Sequence, residues 1–277
     1  MHYHGSEVSP ARVSPINAST SPQTDIIVFE DVTRLYGAVK AVDAISCSIA
    51  AGSFVAMVGA SGSGKSTLVK TINGLVSPTS GRVMYRGEDV STLAPAALRR
   101  QIGYVFQGIG LFPHMNVAEN IAIGPRLTGE RLGKARVAEL LELVELEPEM
   151  ALRMPDALSG GQRQRVGVAR ALAGNPQVLL MDEPFGALDP ITRDALGERV
   201  RRLHEELGLT TIMVTHDMAE ALLLADRVLV MDAGQIVADE TPRALLAGAG
   251  GETAQGLVAV PREQAERLAA MERGDSA

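Results

Sequence analysis

Short apolar runs separated by glycine-rich breaks set the rhythm of this chain. Phe54-Val55-Ala56-Met57-Val58 is apolar at every position, which predicts a strand covered on both faces. Val178 to Met181, Thr211 to Val214 and Val228 to Met231 have the same character, with helix-compatible stretches at Ile191 to Leu207 and Met218 to Ala225 between them. That alternation predicts a largely parallel sheet with crossover helices. Upstream, Ile26 to Phe29 and Val39 to Ile49 have strand character, and Gly52 breaks the chain. Ser66 to Asn73 opens a helix, Pro78, Ser80 and Gly81 mark a turn, and Arg82 to Arg86 and Gly103 to Phe106 read as strands. From Gln107 the pattern changes. Val117 to Ile123, the amphipathic stretch Arg131 to Leu146 and the region up to Leu158 predict a helical insertion over 107–160. Gln235 to Asp239 supplies a last strand and Pro261 to Met271 an amphipathic helix. Three spans follow: a Ser-, Pro- and Thr-rich mobile tail at 1–24, one α/β domain at 25–247, and a short helical extension at 248–277. There is no internal repeat.

Composition narrows the classes. The chain has 277 residues, of which 46% are hydrophobic, enough for a folded core. A formal charge of −7 gives no global field for nucleic acid or anionic lipid. The single cysteine, Cys47, excludes an internal disulfide and fits a reducing compartment. No apolar run has the length of a membrane helix, and the N-terminus does not have the pattern of a signal peptide. Any membrane role would then need other chains to span the bilayer. His2 and His4 read as part of the solvated tail rather than as metal ligands.

The candidate chemistry sits where strands end. Gly59-Ala60-Ser61-Gly62-Ser63-Gly64-Lys65-Ser66 follows the buried strand and starts a helix. Glycines there let the backbone wrap phosphate, and the helix N-terminus supplies positive potential. Lys65 would reach the β- and γ-phosphates of a nucleotide, and Ser66 would offer its hydroxyl to Mg²⁺. Asp182 ends an apolar strand at the carboxyl edge of the sheet and would hold Mg²⁺, while Glu183 would orient the attacking water. His216 also follows an apolar strand; it either bonds the γ-phosphate or simply starts a helix. Gln107 could sense metal and water through its amide. Tyr36 could stack on a base or pack on the sheet. Leu158-Ser159-Gly160-Gly161-Gln162 precedes a helix-compatible run, so its glycines allow close approach to an anion at a positive helix end.

Together these residues resemble the nucleotide-binding subunit of ATP-binding cassette (ABC) transporters. Tyr36 resembles the adenine-stacking aromatic of that family and Gly59 to Thr67 its phosphate loop. Gln107, Leu158 to Gln162, Asp182 with Glu183, Ala187-Leu188-Asp189 and His216 match the remaining motifs in family order. The resemblance implies a P-loop NTPase core with a mostly parallel sheet, an N-terminal antiparallel β subdomain and a helical subdomain carrying the signature motif. It implies ATP and Mg²⁺ as cofactors and a head-to-tail homodimer. In that dimer each ATP is gripped by the phosphate loop of one subunit and by Ser159 and Gly161 of the other, and Asp189 bridges the two sites. It further implies separate permease subunits, an extracytoplasmic solute-binding protein, and a cytoplasmic protein peripheral to the inner face of the membrane. Gly110-Leu111-Phe112-Pro113-His114-Met115 with Asn120-Ile121, Glu183 to Arg193, and Val260 to Leu268 resemble importers of osmoprotectants such as glycine betaine, choline and proline betaine. Many members of that group carry a paired C-terminal regulatory module. The stretch after Thr241 is too short for one, which puts direct sensing of ionic strength in doubt.

The resemblance also suggests that Phe112, Pro113, His114 and Met115 form an apolar patch where a permease helix docks; the bland alternative is that Phe112 and Met115 fill the insertion's own core. Arg163, Arg165 and Arg170 are expected to pair with acids on their own helix surface. Rival functions are a soluble cassette ATPase acting on DNA or ribosomes, a small P-loop kinase and an exporter subunit. The long coiled-coil insertion or second cassette of the first is not found, and the kinase has no use for the Ser-Gly-Gly motif or His216. An ATPase subunit for another small solute remains the alternative within the family.

Overall fold

The computed structural model describes residues 25–127, 129–186 and 188–272. The expected tail at 1–24, with His2 and His4, lies outside the described residues, as does Ala187. Two long strands open the fold, β1 (Asp25–Tyr36) and β2 (Val39–Ala50), then β3 (Phe54–Val58) and α1 (Lys65–Ile72). β4 (Ser80–Tyr85), β5 (Glu88–Asp89), α2 (Pro95–Gln101) and β6 (Ile102–Val105) follow. Next come α3 (Val117–Arg126), α4 (Lys134–Leu143), α5 (Gly160–Leu172), β7 (Val178–Asp182), α6 (Pro190–Leu207) and β8 (Thr210–Val214). The order closes with α7 (Met218–Leu224), β9 (Arg227–Asp232), β10 (Gln235–Glu240), α8 (Pro242–Leu246) and α9 (Gly251–Glu272).

Two sheets result. One is antiparallel with order β2-β1-β4-β5; the other has order β10-β9-β3-β8-β7-β6. In the second sheet only β10 runs antiparallel to its neighbour. Every residue of β3, β7 and β8 is buried: β3 is apolar throughout, β7 up to Asp182, and β8 after Thr210 and Thr211. Alternate side chains divide the core. Val55, Met57, Leu180 and Val214 pack with α1 residues Leu68, Val69 and Ile72 beneath the antiparallel sheet. Phe54, Ala56, Leu179 and Met181 face the helical side, with Val166 of α5, Leu196 of α6 and Ala221 of α7. The carboxyl ends of β3, β7 and β8 therefore open onto one edge, where a ligand would enter.

Three segments differ from the sequence reading. The helix expected over Arg131 to Leu146 is shorter, Lys134–Leu143, and the stretch up to Leu158 holds only single 3₁₀ turns at Pro148–Leu152 and Pro155–Ala157. Both turns begin with a proline, which suits a first turn but cannot continue a long helix. The C-terminal helix does not start at Pro261 but runs through it from Gly251. Ala254 and Val258, both fully buried ahead of the proline, anchor that first half against α7 and β10. Packing of this kind outweighs the one hydrogen bond that proline withholds.

Candidate nucleotide site

The loop between β3 and α1 is shaped by its glycines. Gly59 has φ +150° and Gly64 φ +102°, and a Cβ on either would strike a backbone carbonyl, that of Met231 or that of Ala41. These contacts fix the loop between β2 and the β9–β10 turn, where Gly234 N donates to Ser63 O at 3.2 Å. Lys65 is buried and folds back over the loop. Its Nζ donates to Gly59 O at 2.9 Å, Ala60 O at 2.8 Å and Ser63 Oγ at 3.1 Å. Burial holds its ammonium below the usual lysine range, and the charges of Glu183 and Asp182 offset part of that. Ala60, Ser61 and Gly62 are exposed, while Thr67 is half-buried on the first turn of α1.

Ser66 lies on that same turn, and its Oγ donates to Asp182 Oδ1 at 2.6 Å. Asp182 ends β7 with only 2% of its surface exposed. Tyr104 OH donates to Asp182 Oδ2 at 3.2 Å, and Lys70 Nζ stands 3.5 Å from the same oxygen. No group of three or more His, Cys, Asp or Glu converges among the described residues. A protein-only metal cage is therefore absent there. Two hard oxygen donors side by side instead fit Mg²⁺, which takes one or two protein ligands and completes its shell with phosphate and water.

Glu183 follows directly and turns the chain. Its φ of +48° is in the left-handed region, unusual for a residue with a side chain. Its N–H donates to Val214 O at 2.9 Å, tying the bend to β8. Gln107 Nε2 donates to Glu183 Oε2 at 2.9 Å, and His216 Nδ1 lies 3.7 Å from that oxygen. Gln107 thus engages the carboxylate of Glu183 through its amide nitrogen. His216 does not cap α7; Asp217 does, accepting from Ala219 N and Glu220 N. The imidazole is 61% exposed and available to a ligand at the sheet edge.

The remaining candidates stand apart from this cluster. Tyr36 ends β1 and is 48% exposed, with the Arg34 guanidinium 4.6 Å from its ring centroid. Its ring is thus not packed into the sheet. Ser159 caps α5 in a reciprocal box: its Oγ accepts from Gln162 N at 3.1 Å, and its N–H donates to Gln162 Oε1 at 2.9 Å. A Cβ on Gly160 would meet Arg163 Nη2 at an ordinary 4.0 Å, whereas one on Gly161 would press on Thr192 Cγ2 at 2.5 Å. Asp189 caps α6, accepting from Thr192 N at 3.1 Å, and the Thr192 side chain, followed by that N–H, holds its carboxyl below the usual range. The N-termini of α5 and α6 therefore meet at Gly161 and Thr192, close to the exposed surface.

The three arginines of α5 do not pair along their own helix. Arg163 donates to Leu158 O at 2.5 Å. Arg165 donates to Val144 O and Glu145, and Arg170 to Ile109 O and Gly110 O. They fasten α5 to the loops around it. Phe112 is 41% exposed and does not fill the insertion's core, while Met115 is half-buried. Asn120, fully buried, holds the turn before α3 through bonds to Phe112 N, Phe112 O and Met115 O. Tyr104 and Lys70 were not singled out from the sequence. A tyrosine in a strand and a lysine on a helix carry no distinguishing signal of their own.

With this geometry in place, the comparisons with known proteins carry weight. The ABC transporter family profile matches residues 42–186. The glycine betaine/carnitine/choline transport ATP-binding protein OpuCA of Bacillus subtilis (strain 168) is 50% identical over 224 residues, covering 80% of this chain and 59% of that protein. The glycine betaine uptake system ATP-binding protein YehX of Escherichia coli (strain K12) is 50% identical over 225 residues, covering 80% of this chain and 72% of that protein. A solved dimeric ATP-binding cassette in a post-hydrolysis state, bound to ADP and Pi, superposes with a TM-score of 0.72 at 34% identity over 78% of this chain and 99% of that one. The α/β architecture, the phosphate loop and these relatives agree, and the chain belongs to the ABC transporter family.

Proposed function

We propose that this chain is the ATP-hydrolysing energy subunit of an importer for osmoprotectants, with glycine betaine, choline or a related quaternary amine as the solute. The observation that carries the ATPase reading is the convergence of Lys65, Ser66, Asp182, Glu183, Gln107 and His216 at one sheet edge. Gly59 to Thr67 would cradle the phosphates, with Lys65 exchanging its loop carbonyls for phosphate oxygens. Ser66 and Asp182 would hold Mg²⁺, which when bound neutralises charge on the transferring phosphoryl group. Glu183 would orient the attacking water, helped by the Gln107 amide, and His216 would bond the γ-phosphate. Tyr36, exposed at the end of its strand, would stack on adenine.

The cassette would act as a head-to-tail homodimer. Ser159, Gly160, Gly161 and Gln162 of one subunit would close on ATP held by the other, and Asp189 would bridge the two sites. Closure would follow from ATP binding better to the joined state, and hydrolysis would release it. No helix among the described residues is long and apolar enough to cross a membrane. Permease subunits would therefore provide the path, and a solute-binding protein the capture of solute. The cassette would sit peripherally on the inner face of the membrane, with the exposed Phe112 region as docking surface. The domain plan is a cassette over 25–247, a helical subdomain over about 107–160 and an extension from 248. The substrate class rests on the names of OpuCA and YehX, since no residue here would touch the solute. Uptake of radiolabelled glycine betaine and choline at high osmolarity, with and without this gene, tests it. Uptake lost with the gene and restored by it supports the assignment; unchanged uptake in cells lacking other betaine carriers refutes it in favour of another small solute.

A further inference from the structure

Asp182 is the most enclosed acid of the site, and its two oxygens have different company. Among the described residues Oδ1 accepts only from Ser66 Oγ, at 2.6 Å, while Oδ2 accepts from Tyr104 OH at 3.2 Å and faces Lys70 Nζ at 3.5 Å. The sheet register explains the meeting. Tyr104 of β6 lies opposite Leu180 of β7, so Asp182, two residues on, shares its face of the sheet. Ser66 and Lys70 come from successive turns of α1, packed on that face. A carboxylate torsion is broad and roughly two-fold, so a lone partner on Oδ1 would not fix it.

The Tyr104 hydroxyl faces an acceptor-only carboxylate oxygen, so it is the donor of that bond. Its ring is held separately, 4.5 Å from the Phe106 ring.

We propose that Tyr104 is a positioning residue for Asp182, its hydroxyl pinning Oδ2, with help from Lys70, so that Oδ1 stays turned to Ser66. The consequence passes to Ser66. A hydroxyl that donates to Oδ1 keeps both lone pairs free for a cation, and their direction depends on where Oδ1 sits. Tyr104 thus orders the metal-binding oxygens without touching metal or nucleotide, as outer partners do in other metal sites. The inference rests on the ATPase reading above.

The test uses the full chain and three variants. Tyr104→Phe removes the hydroxyl and leaves the ring; Lys70→Gln weakens the second hold; Tyr85→Phe deletes another buried hydroxyl, on β4 and outside this cluster, as a control. Two quantities are measured: affinity for a fluorescent ATP analogue in EDTA, and the Mg²⁺ concentration that half-saturates hydrolysis. Tyr104→Phe should raise the Mg²⁺ requirement about tenfold, at the low end for loss of an outer partner, with binding in EDTA unchanged. Lys70→Gln should move it in the same direction, and Tyr85→Phe should match the parent. An unchanged Mg²⁺ requirement overturns the inference, as does an equal loss of binding in EDTA, which would mark general support of the loop. A parent chain without Mg²⁺-dependent hydrolysis would remove the ATPase reading and this inference together.

Discussion

Ser159→Asp separates what Ser159 does for its own subunit from what it would do across the dimer. In the single chain Ser159 only caps α5, and Gln162 returns the bond. Aspartate caps as well as serine, and its charge at a helix N-terminus adds about 0.3–1 kcal/mol of favourable interaction. Folding stability should therefore hold or rise slightly. Across the dimer the outcome reverses. A carboxylate placed ~4 Å from a phosphate oxygen, at an effective dielectric of about 20, costs about 4 kcal/mol. That corresponds to roughly a thousandfold loss at each of the two sites that every ATP-driven association would close. Ser159→Ala provides the converse: a lost cap costing about 1 kcal/mol of stability and no new repulsion. Urea denaturation reads stability, and light scattering with and without ATP reads association. A Ser159→Asp chain that dimerises with ATP as readily as the parent would refute the placement of this turn against a neighbour's nucleotide.

Two further outcomes are expected. Lys65→Met removes three hydrogen bonds to the loop and the cation meant for phosphate. Charge-assisted bonds contribute about 1.5–3 kcal/mol, so ATP affinity should fall roughly ten- to a hundredfold, and an unchanged nucleotide titration would contradict the role given to Lys65. His204 is buried, with Nδ1 3.0 Å from Thr211 Oγ1, and burial holds its pKa below 6.5. As pH falls below 6.5, the unfolded chain takes up a proton that the folded chain refuses, so stability declines in that range. His204→Gln should show a smaller decline between pH 7.5 and 5.5 in urea midpoints, and identical slopes would rule out His204 as the source.

The sequence made the nucleotide edge legible because chemistry and pattern coincide there. A strand apolar at every position must be buried on both faces, so β3 and β7 could be placed, and with them the loop after Val58 and the acids after Met181. Their partners were harder to see. Tyr104 meets Asp182 only through the pairing of β6 with β7, a contact between residues far apart in sequence. Helix α2 buries only Leu98, so it shows no apolar stripe. β1 runs on to Tyr36 through register shifts that interrupt its alternation after Phe29. The arginines of α5 were misread for a related reason. Surface pairing is the ordinary fate of such residues, and the carbonyls they reach belong to loops whose position only tertiary packing sets. Pro261 misled in the opposite direction, since a local helix breaker was overruled by burial of the preceding turns.

The central claim is that ATP joins two copies of this chain and that Glu183 enables the water attack which parts them. Glu183→Gln keeps the shape of the side chain and its contact with Gln107 while removing the charge. Measured together by turnover and light scattering, this variant should bind ATP, hydrolyse it about 10²–10⁴-fold more slowly and accumulate as an ATP-bound dimer. Hydrolysis at the parent rate, or a variant that stays monomeric with ATP bound, would contradict the account.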